Sequence, residues 1–263
     1  MTKLGPLGAT HTALDTDAAV PAAAELEELG YATLWLPGGQ GNNLPRIAEV
    51  VRGTSRIQVA SGILSVDRVP AASVAATYAD LPAGRFVVGL GGAHGPRPLA
   101  ALNDYLDEIE DVVPPSARVL SALGPRMLGL ARDRASGAYP YLVTTDYVAS
   151  AREILGAGPQ LSVLLNVVAE TDAAAMRETV RGGSLKFLAG VPGYAANFRR
   201  MGFSDEDIAG LSDRLVDGVT VWGGFDAVVA RLREFRAAGA DQVVVPLDAL
   251  PREWWPGLVA AIR

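Results

Sequence analysis

In 263 residues the chain has no cysteine, and only two histidines, His11 and His94. The missing cysteines exclude disulfides, a thiolate nucleophile and sulfur-ligated metal sites. Two histidines with no acid at ligand spacing do not make a metal site. Lysine occurs only at Lys3 and Lys186, badly placed for a Schiff-base barrel aldolase. A basic footprint is also lacking. The 23 basic and 29 acidic side chains leave a net charge of −6, so neither nucleic acid nor an anionic membrane is an expected partner. The longest apolar run, Leu161 to Ala169, is broken by Ser162 and Asn166 and is too short to span a bilayer. Met1 to Pro6 leads into no apolar h-region, and Asp15 and Asp17 arrive early, so a cytoplasmic protein without a secretory signal is expected. There is no Gly-x-Ser-x-Gly elbow and no convincing Ser/His/Asp set.

What the chain does have is a repeated unit. Ala22–Leu29 carries apolar residues at helical spacing, stops at Gly30, and is followed after Tyr31 by the run Ala32-Thr33-Leu34-Trp35-Leu36. Near the end, Phe225, Val228, Leu232 and Phe235 form a second helical stripe that stops at Gly239, and Gln242-Val243-Val244-Val245 follows. Helix, glycine, tight turn and buried run is the return half of a β/α unit. Continuous apolar strands are buried on both faces, as in a parallel sheet covered by helices. Further strands are predicted at Leu7–Thr10, Ile57–Ser61, Phe86–Leu90, Val119–Ala122, Tyr139–Val143 and Ser162–Val168. Helices are predicted at Leu44–Val51, Ala71–Asp80, Asp104–Ile109, Met127–Arg134, Tyr147–Leu155, Ala173–Val180 and Tyr194–Met201. With the repeated unit this makes eight strands. Right-handed crossovers allow a closed barrel or an open doubly wound sheet. Strand count and a length near the roughly 250 residues typical of a (β/α)8 TIM barrel favour the barrel, one domain over residues 1–263. Arg181 to Asp213 is longer than one crossover needs and reads as an excursion over the barrel mouth.

Active sites of such barrels lie at the C-terminal ends of the strands. Leu123-Gly124-Pro125-Arg126-Met127 follows a predicted strand and opens a helix, whose free N–H groups and dipole suit an anion, with Arg126 as an added charge. The same residues also suit an ordinary proline-capped turn, and both readings stand at this point. Gly89-Leu90-Gly91-Gly92-Ala93-His94 lets something flat, or another backbone, lie close, but it is not a dinucleotide fingerprint. Ser61-Gly62-Ile63-Leu64 permits unusual backbone geometry against a ligand. His11 and His94 both fall just past strand ends, as proton donors or as polar mouth residues. Trp254-Trp255 reads as a packing plug or subunit contact, and Arg199-Arg200 as a solvated helix face.

Taken in order, several stretches resemble the luciferase-like monooxygenase superfamily, in its branch of probable coenzyme F420-dependent oxidoreductases. They are Ala23–Tyr31 with Leu34-Trp35-Leu36-Pro37, Arg56–Ile63, Gly84–Gly91, Ala122–Leu128, Tyr141–Thr144, Asn197–Phe203, and Asp213–Val216 with Trp222-Gly223. The likeness spans nearly the whole chain. It implies a luciferase-like (β/α)8 barrel, often a homodimer, with a deazaflavin or flavin at its mouth and a small-molecule substrate. It implies a non-prolyl cis peptide at Ser61-Gly62-Ile63 behind the ring, passage of ring and ribityl chain along Gly91 and Gly92, and phosphate binding at Leu123, Gly124, Pro125, Arg126 and Met127. Val143, Thr144 and Thr145 would complete that phosphate pocket.

The expected activity is hydride transfer between F420 and an electron-poor substrate carbon, with His94 as first and His11 as second candidate for the general acid. The chain departs from its relatives where F420 enzymes carry an Asp-His pair after the second strand: here the sequence reads Leu36-Pro37-Gly38-Gly39. An FMN-dependent monooxygenase, and a non-catalytic flavin or deazaflavin carrier, are the alternatives.

Overall fold

The computed structural model describes residues 4–38, 41–92 and 95–263. His94 and Gly39 lie outside the described residues. Eleven strands occur in chain order among these residues: β1 (Leu7–Thr10), β2 (Thr33–Pro37), β3 (Gln58–Gly62), β4 (Leu64–Ser65), β5 (Phe86–Gly91), β6 (Arg118–Leu120), β7 (Gly137–Ala138), β8 (Gln160–Leu164), β9 (Asn166–Val168), β10 (Thr220–Trp222) and β11 (Gln242–Pro246). The neighbours run β3-β2-β1-β11-β8-β7-β6-β5, and β3 pairs with β5 to close the ring. Every pairing is parallel, the closing one through Val59 with Phe86 and Ala60 with Val87. This is the closed eight-stranded (β/α)8 barrel expected from the sequence.

Side chains alternate across each strand, and the barrel uses both sets. Trp35, Ala60, Val87, Val119 and Val244 form the inner cluster with Leu4 and Tyr139. Leu34, Leu36, Val59, Val88, Leu120, Val243 and Val245 belong to the larger cluster shared with the helices. The repeated unit is confirmed at both ends. The helix Ala19–Leu29 ends on Gly30 in the left-handed region (φ 93°), and the helix Phe225–Ala237 is followed by Gly239 at φ 117°. Both glycines turn the chain into a barrel strand, which an L-residue does only under strain.

Three expectations need correction. The strand predicted at Tyr139–Val143 sits earlier, at Gly137–Ala138. Pro140 brings no N–H to the ladder, and Leu142 leaves extended geometry at φ 55°, so only a single bridge from Tyr141 to Leu164 remains. Val119–Ala122 is displaced to Arg118–Leu120, because Arg118 is fully buried and its Nε donates to Val113 O at 2.7 Å. Ser162–Val168 divides into β8 and β9. Leu165 N–H still bonds Val244 O, but Asn166–Val168 pairs outside the barrel with β10.

The 181–213 excursion is helical, with Ser184–Leu188, Pro192–Arg200 and Asp205–Gly210 inside it and Asp213–Val219 after it. These helices bury Leu185, Phe198, Phe203, Leu215 and Val216 against Met176, Val180 and Leu142 in a cluster of their own. Among the described residues no helix is long and apolar enough to cross a membrane.

One carboxylate orders the entry to β3. Glu27, near the end of the helix Ala19–Leu29, accepts from the backbone N–H groups of Ser55, Arg56 and Ile57. Desolvation pushes its pKa up, but the three N–H donors outweigh this and hold it below the usual carboxylate value. A lowered folded pKa stabilises above the unfolded value, and the gain disappears as pH falls through the folded one. Glu27→Gln is therefore expected to cost about 1 kcal/mol at pH 7 by urea denaturation, since the group is near solvent. The difference from wild type should shrink as the pH falls through and below the usual carboxylate range.

Candidate active site

The first part of the mouth is a ledge where β3 ends. The Gly62–Ile63 peptide is cis, as the resemblance implied for this turn. The chain then resumes as β4 beside β5. Gly38 N–H donates to Gly62 O at 3.3 Å, and a Cβ on Gly38 would stand 1.9 Å from Ile63 O, so only glycine fits there. Ser61 is buried, and its hydroxyl is spent on Gly89, donating to its O at 2.9 Å and accepting from its N–H at 2.8 Å. Gly91 and Gly92 have a packing reason within the protein. A Cβ on Gly91 would meet Ser121 Cβ at 2.7 Å, and Gly92, at φ +71°, would meet Ser65 Oγ at 2.8 Å.

The second part lies past β6. Gly124 is the N-cap and Pro125 the first residue of the ten-residue helix Pro125–Arg134. Thr144 caps the next helix, Thr145–Leu155, by accepting from Tyr147 N–H at 3.2 Å. Tyr147 ties the two helix starts together, because its hydroxyl donates to Leu123 O at 2.9 Å and reaches Ala122 O at 3.1 Å. Burial pushes that hydroxyl's pKa up, and the Arg200 guanidinium pulls against it. Val143 is buried beneath.

Arg200 belongs to the helix Pro192–Arg200 of the excursion. Its Nη2 donates to Oδ1 of the fully buried Asn197 at 3.1 Å, and stands 3.4 Å from where a Cβ on Gly124 would lie. Leu123, Pro125, Thr144, Asp146, Asn197 and Arg200 line part of a cavity of about 280 Å³. Arg126 and Met127 line a different cleft, of about 870 Å³, together with Arg97. The cation beside the Gly124 turn is therefore Arg200, while the Arg126 side chain lines the other cleft. Both arginines are exposed, as the solvated-face reading expects; Arg199 pairs with Asp205 at 2.6 Å, whereas Arg200 also reaches the Gly124 turn. Nothing local in the sequence distinguishes the two arginines; only the packing of the excursion does.

His11 follows β1 directly, and its Nδ1 accepts from Ala13 N–H at 2.9 Å and lies 3.4 Å from Asp248 Oδ1. Its ring meets Trp255 edge-on at 5.5 Å. This is a capping role, which leaves Nε2 as the nitrogen for any chemistry. Trp254 packs edge-on against Phe225, and Trp255 is buried with its carbonyl accepting from Tyr31, so the pair is a packing plug. No group of three or more metal-ligating side chains occurs among the described residues.

Neither a protein-family model nor a curated protein matches the chain by sequence. Solved structures match it over nearly its full length. An F420-dependent tetrahydromethanopterin reductase from Methanopyrus kandleri is 17% identical with a TM-score of 0.72, the match covering 99% of this chain and 98% of that one. An F420-dependent secondary alcohol dehydrogenase, solved with an F420–acetone adduct, is 12% identical with a TM-score of 0.74, covering 98% and 99%. The oxygenating constituent of 3,6-diketocamphane monooxygenase from Pseudomonas putida, in complex with FMN, is 14% identical with a TM-score of 0.66, covering 98% and 97%. The resemblance read from the sequence is thereby borne out for the fold.

Tyr147→Phe removes the tie between the two helix starts. It should lower stability by about 1 kcal/mol in urea denaturation, with the helical circular dichroism unchanged.

Proposed function

We propose that the chain is an F420-dependent oxidoreductase acting on a small electron-poor organic molecule, with FMN as the second candidate cofactor. The observation that carries this reading is the guanidinium of Arg200 set over the Gly124–Pro125 turn, on the same end of the barrel as the Gly62–Ile63 ledge. Leu128 N–H bonds Gly124 O, so the N–H groups of Arg126 and Met127 ahead of it have no acceptor within their helix. With the missing side chain at Gly124, these donors and Arg200 fit a phosphate. The fold, shared with F420- and FMN-dependent enzymes, supports the same reading.

The local charge at the turn favours a phosphodiester. The cavity beside the turn holds one guanidinium, from Arg200, and one carboxylate, from Asp146. A phosphodiester carries one negative charge, whereas a phosphate monoester carries about −1.5 to −2 at pH 7. A single cation opposed by an acid suits the diester of F420 better than the monoester of FMN. When bound, the reduced deazaflavin supplies a hydride. The chain's own part is to seat the ring on the Gly38 and Gly62–Ile63 backbone, hold the phosphate with Arg200, and deliver a proton. His94 is the first candidate for that proton, and His11 through Nε2 the second.

Titrating the apo-protein with F420 and with FMN, followed by fluorescence, tests this directly. F420 should bind the tighter, and Arg200→Gln should weaken it about five- to thirtyfold, the loss of one charge-assisted hydrogen bond. Arg126→Gln should change it less than about twofold, because its side chain faces the other cleft. Tighter binding of FMN would overturn the charge argument. Tight F420 binding without oxidation of the reduced cofactor by any carbonyl or enone would favour the carrier.

A further inference from the structure

Four tyrosines are buried among the described residues, and three of them give their hydroxyl to a backbone carbonyl. Tyr31 donates to Trp255 O at 3.0 Å, Tyr105 to Val69 O at 2.9 Å and Tyr147 to Leu123 O at 2.9 Å. Buried tyrosine hydroxyls usually find such a partner, because an unmade bond leaves a desolvated group uncompensated. The fourth, Tyr139, is 5% exposed; its hydroxyl makes no hydrogen bond to a described residue, and its oxygen is not among the fully buried unpartnered atoms, so what accessibility the residue keeps includes this group.

Its ring is not free to turn toward one. Tyr139 stacks on Trp35 at 3.8 Å with an interplanar angle of 4°. Trp35 is fixed in turn, since its Nε1 donates to Gln242 Oε1 at 3.0 Å, and Gln242 Nε2 donates to Leu4 O and to Gly5 O. The stack therefore holds the Tyr139 hydroxyl at the end of β3. Its oxygen lies 3.4 Å from where a Cβ on Gly62 would stand, a place that glycine leaves open.

We infer that the Tyr139 hydroxyl donates a hydrogen bond to a carbonyl oxygen of the molecule seated on the Gly62–Ile63 ledge. The inference rests on the reading of that ledge as a deazaflavin or flavin seat. Two carbonyls have the right chemistry: one on the pyrimidine edge of the ring, or the one on a substrate carbon that accepts hydride. Desolvation pushes the Tyr139 pKa up, and the nearby Tyr141 and Tyr194 act in the same direction. The group accordingly stays neutral and acts as a hydrogen-bond donor toward a carbonyl or the oxyanion that forms from it, rather than as a source of protons.

Tyr139→Phe keeps the stack and removes only the hydroxyl, and Tyr31→Phe serves as the contrast. In the apo-protein, Tyr139→Phe should not lower the melting temperature, whereas Tyr31→Phe should. A clear fall for Tyr139→Phe would mean a protein partner and would overturn the inference. Binding is read with F420 and FMN, and turnover with reduced F420 and cyclohex-2-en-1-one. A ring carbonyl as acceptor predicts binding about three- to tenfold weaker in Tyr139→Phe, with a shifted absorption band of the bound cofactor. A substrate carbonyl predicts unchanged binding and kcat/KM lower by a similar factor. Unchanged binding, spectrum and kcat/KM together overturn the inference while leaving the functional reading intact. Failure of the wild type to bind either cofactor overturns both.

Discussion

An eight-stranded barrel is just wide enough to need filling by its own side chains, and here a stacked tryptophan and tyrosine do much of that work. Trp35 comes from β2 and Tyr139 from just past β7, so one contact spans the axis between strands that do not pair. Gln242 from β11 fixes the indole from a third side and anchors it to the backbone of Leu4 and Gly5. Smaller residues must surround so large a pair. Ala60, Val87, Val119 and Val244 supply the rest of the inner cluster, and Gly8 has Trp35 Nε1 only 3.0 Å from where its Cβ would be.

The shape of the mouth follows from that filled axis and from the closing seam between β3 and β5. A Cβ on Gly89 would stand 1.9 Å from Ser61 O, so the two strands meet backbone to backbone where the barrel closes. The Ser61 hydroxyl bridges both polar groups of Gly89 across this seam. Just above it the chain bends through Gly62–Ile63, with Gly38 close against the Ile63 backbone on one side and Gly91 against the Ile63 side chain on the other. From Gly91 the contacts run to Ser121, and three residues further lies Gly124 under Arg200. Ledge and Gly124 turn are thus neighbours along one arc of the rim, an arrangement compatible with the proposed ring and phosphate.

Much of the barrel was legible in the sequence, because parallel strands covered by helices must be continuous apolar runs. Leu34-Trp35-Leu36 and Val243-Val244-Val245, each set off by a glycine turn, read as such strands. β7 was not legible: Gly137-Ala138 is too short and too plain to carry a pattern. The start of β6 was hidden by Arg118, whose burial is a tertiary fact. Of the site, the Gly124–Pro125 turn was visible from its capping chemistry. Arg200 and Tyr139 were not. One reaches the mouth only because the excursion folds back over it, and the other only because Trp35 holds it there from a distant strand. Gly91 and Gly92 stood out as ligand-facing, yet close packing against Ser121 and Ser65 already accounts for both.

We propose that one arc of the rim seats a deazaflavin, with its phosphate at Gly124. A crystal structure of the complex with F420 tests this most directly. The phosphate should lie within hydrogen-bond distance of the Arg126 and Met127 N–H groups and of the Arg200 guanidinium, with the ring against Gly62–Ile63. A phosphate lodged instead in the cleft between Arg97 and Arg126, with the ring away from the ledge, would contradict it.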